Sequence, residues 1–208
     1  MWVHTKESQD KLTPKQALEF LKEGNKRFLN NLKANRNLLK QVNQTSDGQF
    51  PFATVLSCID SRTSAELIFD EGLGDIFSIR IAGNILNEDI LGSMEYACGI
   101  ANSKILVVLG HTKCGAVIGA CNNLKTGYLT GLLSKINPAI DKETTTKVDR
   151  NGQNLTFVNN VSIINIHLTI SQIRKQSLIL DNLEKDGKII IVGGLYDIET
   201  GAVSFYDN

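Results

Sequence analysis

The sequence predicts a single-domain α/β protein with a central, mostly parallel β-sheet. Short apolar segments at 53–57, 76–80, 105–109 and 189–192 are typical of strands, and helix-like segments separate them. Strands that are apolar throughout, rather than alternately apolar and polar, indicate a parallel sheet with helices on both faces. The chain has 208 residues, which is enough for one such domain with a substantial core.

The composition argues against several classes of protein. Lys+Arg and Asp+Glu both number 22, and no basic stripe is visible, so we expect no nucleic-acid partner. No apolar run reaches the length of a membrane span, and the polar residues 1–11 lack a signal-peptide core. We therefore expect a cytoplasmic protein without a membrane partner, although a periplasmic or secreted location stays open if a leader has been removed. Four cysteines are too few for a disulfide framework.

We divide the chain into an N-terminal helical arm, residues 1–50, and an α/β core, residues 51–208. In the arm, Thr13 is suited to cap a helix whose first residue is Pro14. Apolar residues then recur at helical spacing, at Leu18, Leu21, Phe28 and Leu32. The polar segment 35–48 predicts a loop.

The core follows an alternating order of strands and helices. After the first strand, the patterns predict helices at 64–70, 88–101, 115–124 and 161–183. Residues 125–157 are rich in Thr, Asn and Gly and predict an irregular segment. A final hairpin within 195–206, turning at Thr200-Gly201, adds a C-terminal edge strand to about four parallel ones.

Candidate metal ligands follow two of the predicted strands. Cys58 comes directly after the first strand, and His111 and Cys114 come after the third. Because ligand sites form where parallel strands end, we expect these side chains to converge. Two thiolates and one imidazole suit zinc and leave a fourth position open, as in catalytic sites. The alternative from the residues alone is that all three are buried core residues, which is our interpretation of Cys98 and Cys121.

Asp60 and Arg62 add a second layer to this constellation. An aspartate two residues from a ligand can reach the open metal position or a water there. An arginine two residues further on can hold that carboxylate through paired hydrogen bonds. The alternative is a surface ion pair, which contributes about 0–1 kcal/mol.

At these residues the sequence resembles the β-class carbonic anhydrases. The resemblance rests on Cys58-Ile59-Asp60-Ser61-Arg62, Arg80-Ile81-Ala82-Gly83-Asn84, His111-Thr112-Lys113-Cys114 and Val192-Gly193-Gly194-Leu195-Tyr196-Asp197. It extends from about Leu12 to Tyr206. It implies one Zn²⁺ per chain held by Cys58, His111 and Cys114, and reversible hydration of carbon dioxide to bicarbonate and a proton by metal-bound hydroxide. It also implies Asp60 as the hydrogen-bond acceptor for that hydroxide, with Arg62 as its partner.

The same resemblance implies a substrate pocket and an assembly. It assigns substrate contacts to Gln49, Phe77, Ala82, Gly83, Tyr96 and Gly115. It also implies a homodimer or homotetramer whose pockets are shared between subunits, with Gln49 serving the neighbouring subunit's zinc.

Other functions remain open on the sequence. Hydrolysis of carbonyl sulfide or carbon disulfide could use the same scaffold. A non-catalytic, zinc-stabilised assembly protein would keep the ligands without needing Asp60. A nucleotide-binding domain is disfavoured, because Gly193-Gly194 follows a strand but no glycine-rich loop opens a helix there.

Overall fold

The computed structural model describes residues 3–206 and contains one five-stranded sheet in the order β2-β1-β3-β4-β5. The strands are β1 Ala53–Ser57, β2 Ile76–Arg80, β3 Ile105–His111, β4 Ile190–Tyr196 and β5 Val203–Tyr206. The first four strands are parallel, and β5 pairs antiparallel with β4. The predicted fold class, including the C-terminal edge strand, is confirmed.

Helices cover both faces of the sheet. Their bounds are α1 Lys6–Lys11, α2 Pro14–Leu29, α3 Leu38–Gln44, α4 Ala65–Ile68, α5 Glu88–Glu95, α6 Gly115–Cys121, α7 Gly127–Ser134, α8 Asn137–Lys142, α9 Leu155–Gln176 and α10 Leu178–Lys185. A π-helical turn, Tyr96–Ile100, continues α5. Within residues 3–206, none of these helices has the length and apolar character needed to cross a lipid bilayer.

Alternate residues of β3 point to opposite faces of the sheet and enter two different cores. Val107 packs in one core with Leu21 of α2. Val108 packs in the other with Ile166 and Ile170 of α9. Full burial of one such side chain contributes roughly 1.5–3 kcal/mol, so β3 is held from both sides. This fixes the strand whose last residue is His111.

The helical arm packs on its own chain. Thr13 caps α2 in a capping box with Gln16, as its sequence predicts. Further along α2, the Asn25 amide nitrogen donates to the carbonyl oxygens of Ile68 (3.2 Å) and Gly201 (3.0 Å). Its carbonyl oxygen accepts from the backbone N–H of Val203 at 3.0 Å. One buried side chain therefore ties α2 to α4 and to the final hairpin.

Two segments predicted to be irregular contain helices. The segment 35–48 contains α3, and 125–157 contains α7, α8 and the start of α9. Gly127 and Gly131 weaken the helical signal of α7, but burial of Leu133 and Ile136 favours ordered structure there. Tertiary packing thus overrides weak local propensity.

The predicted helix 161–183 is wrong in its extent and continuity. The structure has two helices, α9 and α10, which meet at Ser177. The Ser177 hydroxyl accepts from the backbone N–H of Leu180 at 3.1 Å and donates to Glu95 at 2.6 Å. A buried serine in this position ends one helix and caps the next.

Strand β4 extends beyond its predicted end at Val192 and includes Gly193 and Gly194. A Cβ on Gly193 would lie 2.7 Å from Ile166 and 3.2 Å from Ile170. The glycine is required because α9 approaches the sheet closely at this point.

Candidate metal centre

The ends of two neighbouring strands bring the candidate ligands together. Ser57 and Leu109 are paired in the parallel register of β1 and β3. Cys58 follows β1 directly, His111 is the last residue of β3, and Cys114 precedes the first residue of α6. The two sulfur atoms and an imidazole nitrogen lie within 4.8 Å of one another, and all three side chains are buried.

The geometry of this cluster fits a tetrahedral cation. The sulfur atoms of Cys58 and Cys114 are 3.9 Å apart. Two sulfurs bound to one metal at about 2.3 Å in tetrahedral geometry would be separated by about 3.8 Å. The His111 Nδ1 lies 2.9 Å from the carbonyl oxygen of Thr112 and must donate to it, which leaves Nε2 unprotonated in the neutral ring. Nε2 is buried and has no hydrogen-bond partner among the described residues.

The two thiols share a hydrogen bond. A hydrogen bond from Cys114 lowers the pKa of Cys58 to about 4, and the backbone N–H of Gly83 also donates to the Cys58 sulfur, at 3.3 Å. Donation to Cys58, followed by burial, raises the pKa of Cys114 above its ordinary value. In this arrangement Cys58 is the thiol that ionises more readily, and Cys114 keeps its proton as the donor. Binding of a cation to both sulfurs would release that proton.

Gly83 can fill its position only as a glycine. Its φ is 69°, in the left-handed region. A Cβ there would lie 2.9 Å from Ile136 and 3.2 Å from Ala116. The resemblance implies a substrate contact for Gly83, but in the structure its N–H already bonds the Cys58 sulfur and its carbonyl accepts from Asn165 at 2.9 Å.

Asp60 is held by Arg62 at the edge of the cluster. Arg62 donates from Nε at 2.9 Å, from Nη2 at 2.7 Å and from its backbone N–H at 3.0 Å. The side-chain hydrogen bonds from Arg62 hold the pKa of Asp60 well below its usual range. The Asp60 Oδ2 lies 3.9 Å from the Nε2 of His111, so this carboxylate borders the space between the candidate ligands.

Arg80 supports the loop that carries Cys58 and Asp60, a role that we did not predict. Its Nε donates to the carbonyl oxygen of Cys58 at 3.0 Å, and its Nη2 donates to that of Asp60 at 2.7 Å. The signal for Arg80 was present, since it opens the Arg-x-Ala-Gly-Asn segment. Its action on backbone atoms of another loop could not be read from that segment.

A cavity of about 250 Å³ opens beside the cluster. Four of the predicted site residues line it: Cys58, Asp60, Ala82 and Gly115. Its remaining wall is apolar and consists of Ile59, Ala116, Gly119, Leu124, Leu129 and Leu133. We did not predict a role for these leucines. Leu124 ends the predicted helix 115–124, and we interpreted the segment that carries Leu129 and Leu133 as irregular; the spacing of Leu129, Leu132 and Leu133 was the available signal.

Three of the predicted substrate residues lie elsewhere on this chain. The rings of Phe77 and Tyr96, 6.3 Å apart, line a separate surface groove of about 790 Å³. Phe77 pairs with Thr54, three residues before the end of β1, and is therefore set back from the carboxyl edge of the sheet. Gln49 lines another surface depression, between Val42 and Leu73.

Comparisons with known proteins point to one family. The model of a family described as carbonic anhydrase matches residues 53–203. Carbonic anhydrase 2 of Mycobacterium tuberculosis is 33% identical over 202 residues, which cover 94% of each chain.

Solved structures show the same fold. The β-carbonic anhydrase CafA of Aspergillus fumigatus superposes with a TM-score of 0.71, at 24% identity and 81% coverage of each chain. One of two tetrameric β-carbonic anhydrases from Sordaria macrospora gives a TM-score of 0.69 at 20% identity, covering 81% of this chain and 90% of the other. With a family match over most of the sequence and a relative aligned over nearly its whole length, the chain belongs to the β-class carbonic anhydrase family.

Proposed function

We propose that the protein is a zinc-dependent carbonic anhydrase that interconverts carbon dioxide with bicarbonate and a proton. One observation carries this proposal. Three buried metal-type donor atoms within 4.8 Å of one another adjoin both an arginine-held carboxylate and a largely apolar cavity. A structural metal site would need neither the carboxylate nor the cavity. A substrate that is small and apolar, and that is attacked by water, needs both.

Zinc is the cation that suits these ligands. Two cysteines and one histidine are a donor set that zinc uses in catalytic sites, where a fourth position stays open. The orphan Nε2 of His111 and the 3.9 Å spacing of the sulfurs match that geometry. Bound there, zinc supplies a Lewis acid that makes water acidic enough to attack carbon dioxide near neutral pH.

The chain's own residues would orient the reactants. Asp60 is ionised and keeps an oxygen near His111 Nε2, so it can accept a hydrogen bond from the attacking water and aim its lone pair. Arg62 fixes that carboxylate through two parallel hydrogen bonds. Ala82 and Leu129 offer apolar contact for carbon dioxide, and Gly115 leaves open space because no atom lies within 4 Å of its missing Cβ.

We further propose a homo-oligomer in which Gln49, Phe77 and Tyr96 complete the pocket of a neighbouring subunit. On their own chain they line surfaces away from the cluster, and 55% of Tyr96 is exposed. A groove lined by an exposed Tyr96 and a half-buried Phe77 is the kind of surface that a second copy covers. The tetrameric relatives from Sordaria macrospora support assembly of this fold.

Subunit complementation tests the shared pocket. The Asp60→Asn variant and the Phe77→Ala variant are each expected to have low activity. The two proteins are mixed, dissociated into subunits and allowed to reassociate. If Phe77 serves the neighbouring subunit, each mixed dimer regains one intact site, and random pairing restores about a quarter of the wild-type activity. No recovery in mixed dimers, verified by two affinity tags, would show that Phe77 acts within its own subunit.

We propose the cytoplasm as the compartment, because the candidate site requires reduced thiols. All four cysteines are free. The sulfurs of Cys58 and Cys114 are 3.9 Å apart, close enough to form a disulfide under oxidising conditions. Cytoplasmic conditions keep such pairs reduced and able to bind a metal. Cell fractionation with an antibody against the protein checks this location.

The activity is tested by stopped-flow hydration of carbon dioxide with a pH indicator. The zinc-loaded protein should be active, the chelator-treated protein inactive, and added zinc should restore the rate. Carbonyl sulfide and carbon disulfide are assayed in parallel by sulfide release. Hydration at the background rate with stoichiometric zinc would contradict the proposal, and turnover of a sulfur substrate alone would assign the scaffold to that hydrolysis.

A further inference from the structure

The loop between two of the candidate ligands has an unusual backbone. Lys113 lies between His111 and Cys114 with a φ of 53°. Within residues 3–206, the other non-glycine residues with positive φ are Asn31, Asp70, Asn84, Asn102, Asn123 and Asp149. Asn and Asp tolerate this region because their short side chains bond locally, and lysine has no such advantage. Contacts from elsewhere in the fold must therefore hold Lys113 in place.

The principal contact comes from helix α9. The backbone N–H of Lys113 donates to the Oδ1 of Asn159 at 3.0 Å in a partly buried position. The Lys113 ammonium also pairs with Glu199 at 2.6 Å, but that carboxylate is 66% exposed. Solvent screens such a pair, so the hydrogen bond that Lys113 donates to Asn159 is the stronger constraint on the backbone.

The same helix also contacts the turn beside Cys58. Asn165, which is 4% exposed, donates from its amide to the carbonyl oxygen of Gly83 at 2.9 Å. The N–H of Gly83 in turn donates to the Cys58 sulfur at 3.3 Å. Through Asn159 and Asn165, α9 therefore reaches the loop that carries His111 and Cys114 and the turn that bonds Cys58.

We propose that Asn159 and Asn165 are positioning residues that set the spacing of all three metal ligands. The inference rests on the proposed function and extends it from the ligands to the helix behind them. Helix α9 is suited to this role because Ile166 and Ile170 fix it against the sheet. Loss of a group that supports a metal ligand typically weakens metal binding by about 10- to 100-fold.

The test compares zinc affinity among variants at the two positions. Asn159→Leu and Asn165→Leu keep similar volumes but remove the acceptor and the donor, and each should weaken zinc binding about tenfold or more in chelator competition. Asn159→Asp keeps the acceptor and should restore near wild-type affinity. The cobalt-substituted leucine variants should show altered absorption bands, because the ligands are displaced. If a leucine variant does not fold, the alanine variant takes its place.

The control is Asn160→Leu, at the next position of α9. The Asn160 amide bonds Glu143 and Thr145 instead of the ligand loop, so this variant should lose thermal stability and keep its zinc affinity. Wild-type affinity in both leucine variants would overturn the inference and leave the proposed function intact. An Asn159→Asp protein as weak as Asn159→Leu would also overturn it. A wild-type protein without zinc affinity would overturn the proposed function itself.

Discussion

Two carboxylates in this molecule are each paired with an arginine, and their surroundings differ. Within the described part of the chain, the Asp60 carboxylate accepts its hydrogen bonds from Arg62 alone. The Glu143 carboxylate is 2% exposed and accepts from several donors. These donors belong to Thr145, Thr146, Arg150 and Asn160. Burial raises the pKa of Glu143, but these hydrogen bonds outweigh it and lower the pKa to about 2.

The difference separates a structural carboxylate from one that is available for chemistry. Both carboxylate oxygens of Glu143 accept hydrogen bonds from these donors, and the residue fastens the loop after α8 to Asn160 on α9. Asp60 keeps an oxygen near the unpartnered Nε2 of His111. We therefore expect changes in the ligand cluster and at Asp60 to affect metal binding or turnover, and changes around Glu143 to affect stability alone.

Removal of a ligand from the metal cluster that Asp60 borders should have the largest effect. Cys114→Ser replaces a thiolate by a much poorer zinc ligand, so zinc content should fall and hydration should drop to the background rate. Metal analysis and stopped-flow assays measure both. Cys121→Ser is the matched control, since its half-buried thiol lies outside the cluster. An active, zinc-free Cys114→Ser enzyme would contradict the assignment.

Asp60→Asn should give the next largest effect. It preserves the size of the side chain but removes the charge and leaves an amide that can be oriented either way. We expect kcat/KM to fall about 10²-fold while zinc content stays at one per chain. Arg62→Lys should have a smaller effect, because an ammonium cannot form both parallel bonds. An unchanged kcat/KM in Asp60→Asn would show that Asp60 and Arg62 form only a surface ion pair.

Glu143→Gln should shift stability instead of turnover. It leaves Arg150 without its charged partner, and we expect the free energy of unfolding to fall by about 2 kcal/mol. The folded pKa lies below the ordinary value of 4.5, so the contribution of Glu143 is complete above that pH. It is lost as the pH falls toward 2. Chemical denaturation of both metal-free proteins across this range measures the effect, and a loss of kcat/KM would contradict the contrast.

Glu71 is a third, largely buried carboxylate, and its arginine partners lie beyond hydrogen-bond distance. Its replacement should have the smallest effect on the free energy of unfolding. Glu71 lies 3.7 Å from a nitrogen of Arg36 and 3.9 Å from one of Arg27. Burial, followed by the charge of Asp75, raises the pKa of Glu71 to about 8. Because the folded state binds this proton more tightly, Glu71 destabilises the protein increasingly as pH rises from its ordinary pKa of 4.5 to about 8, and the penalty is constant above that pH.

Glu71→Gln removes that penalty. The variant should match the wild type near pH 4 and exceed its free energy of unfolding by about 1 kcal/mol at pH 9. Denaturation at the two pH values measures the difference. A variant that is less stable at pH 9 would show that Arg27 and Arg36 stabilise the ionised form.

The sequence predicts the parts of the site that depend on strand ends and short spacing. Cys58 follows β1 and His111 ends β3, and these strands are adjacent and parallel, so the two side chains lie close together. Asp60 and Arg62 are two residues apart, so their contact follows from local geometry. Asn159 and Asn165 could not be predicted in the same way. Their partners lie 46 and 82 residues away, and an asparagine in a helix carries no signal for a distant backbone group.

The fold shows the same limit. Apolar runs and helical periodicity identify the sheet and most helices, because these patterns report burial directly. Helices α7 and α8 were missed because their stability comes from burial of Leu133 and Ala139 against other elements rather than from propensity. The cluster around Glu143 was not predicted for a related reason. Its partners are two threonines, an arginine and an asparagine, residue types that in such a segment ordinarily indicate a solvated loop.

The most direct test of the central claim is an anomalous difference map at the zinc absorption edge, from crystals of the purified protein. We expect one zinc peak per chain, at about 2.3 Å from the sulfurs of Cys58 and Cys114 and about 2.0 Å from the Nε2 of His111. No peak at that position in a zinc-supplemented crystal, or a peak held by other side chains, would contradict it.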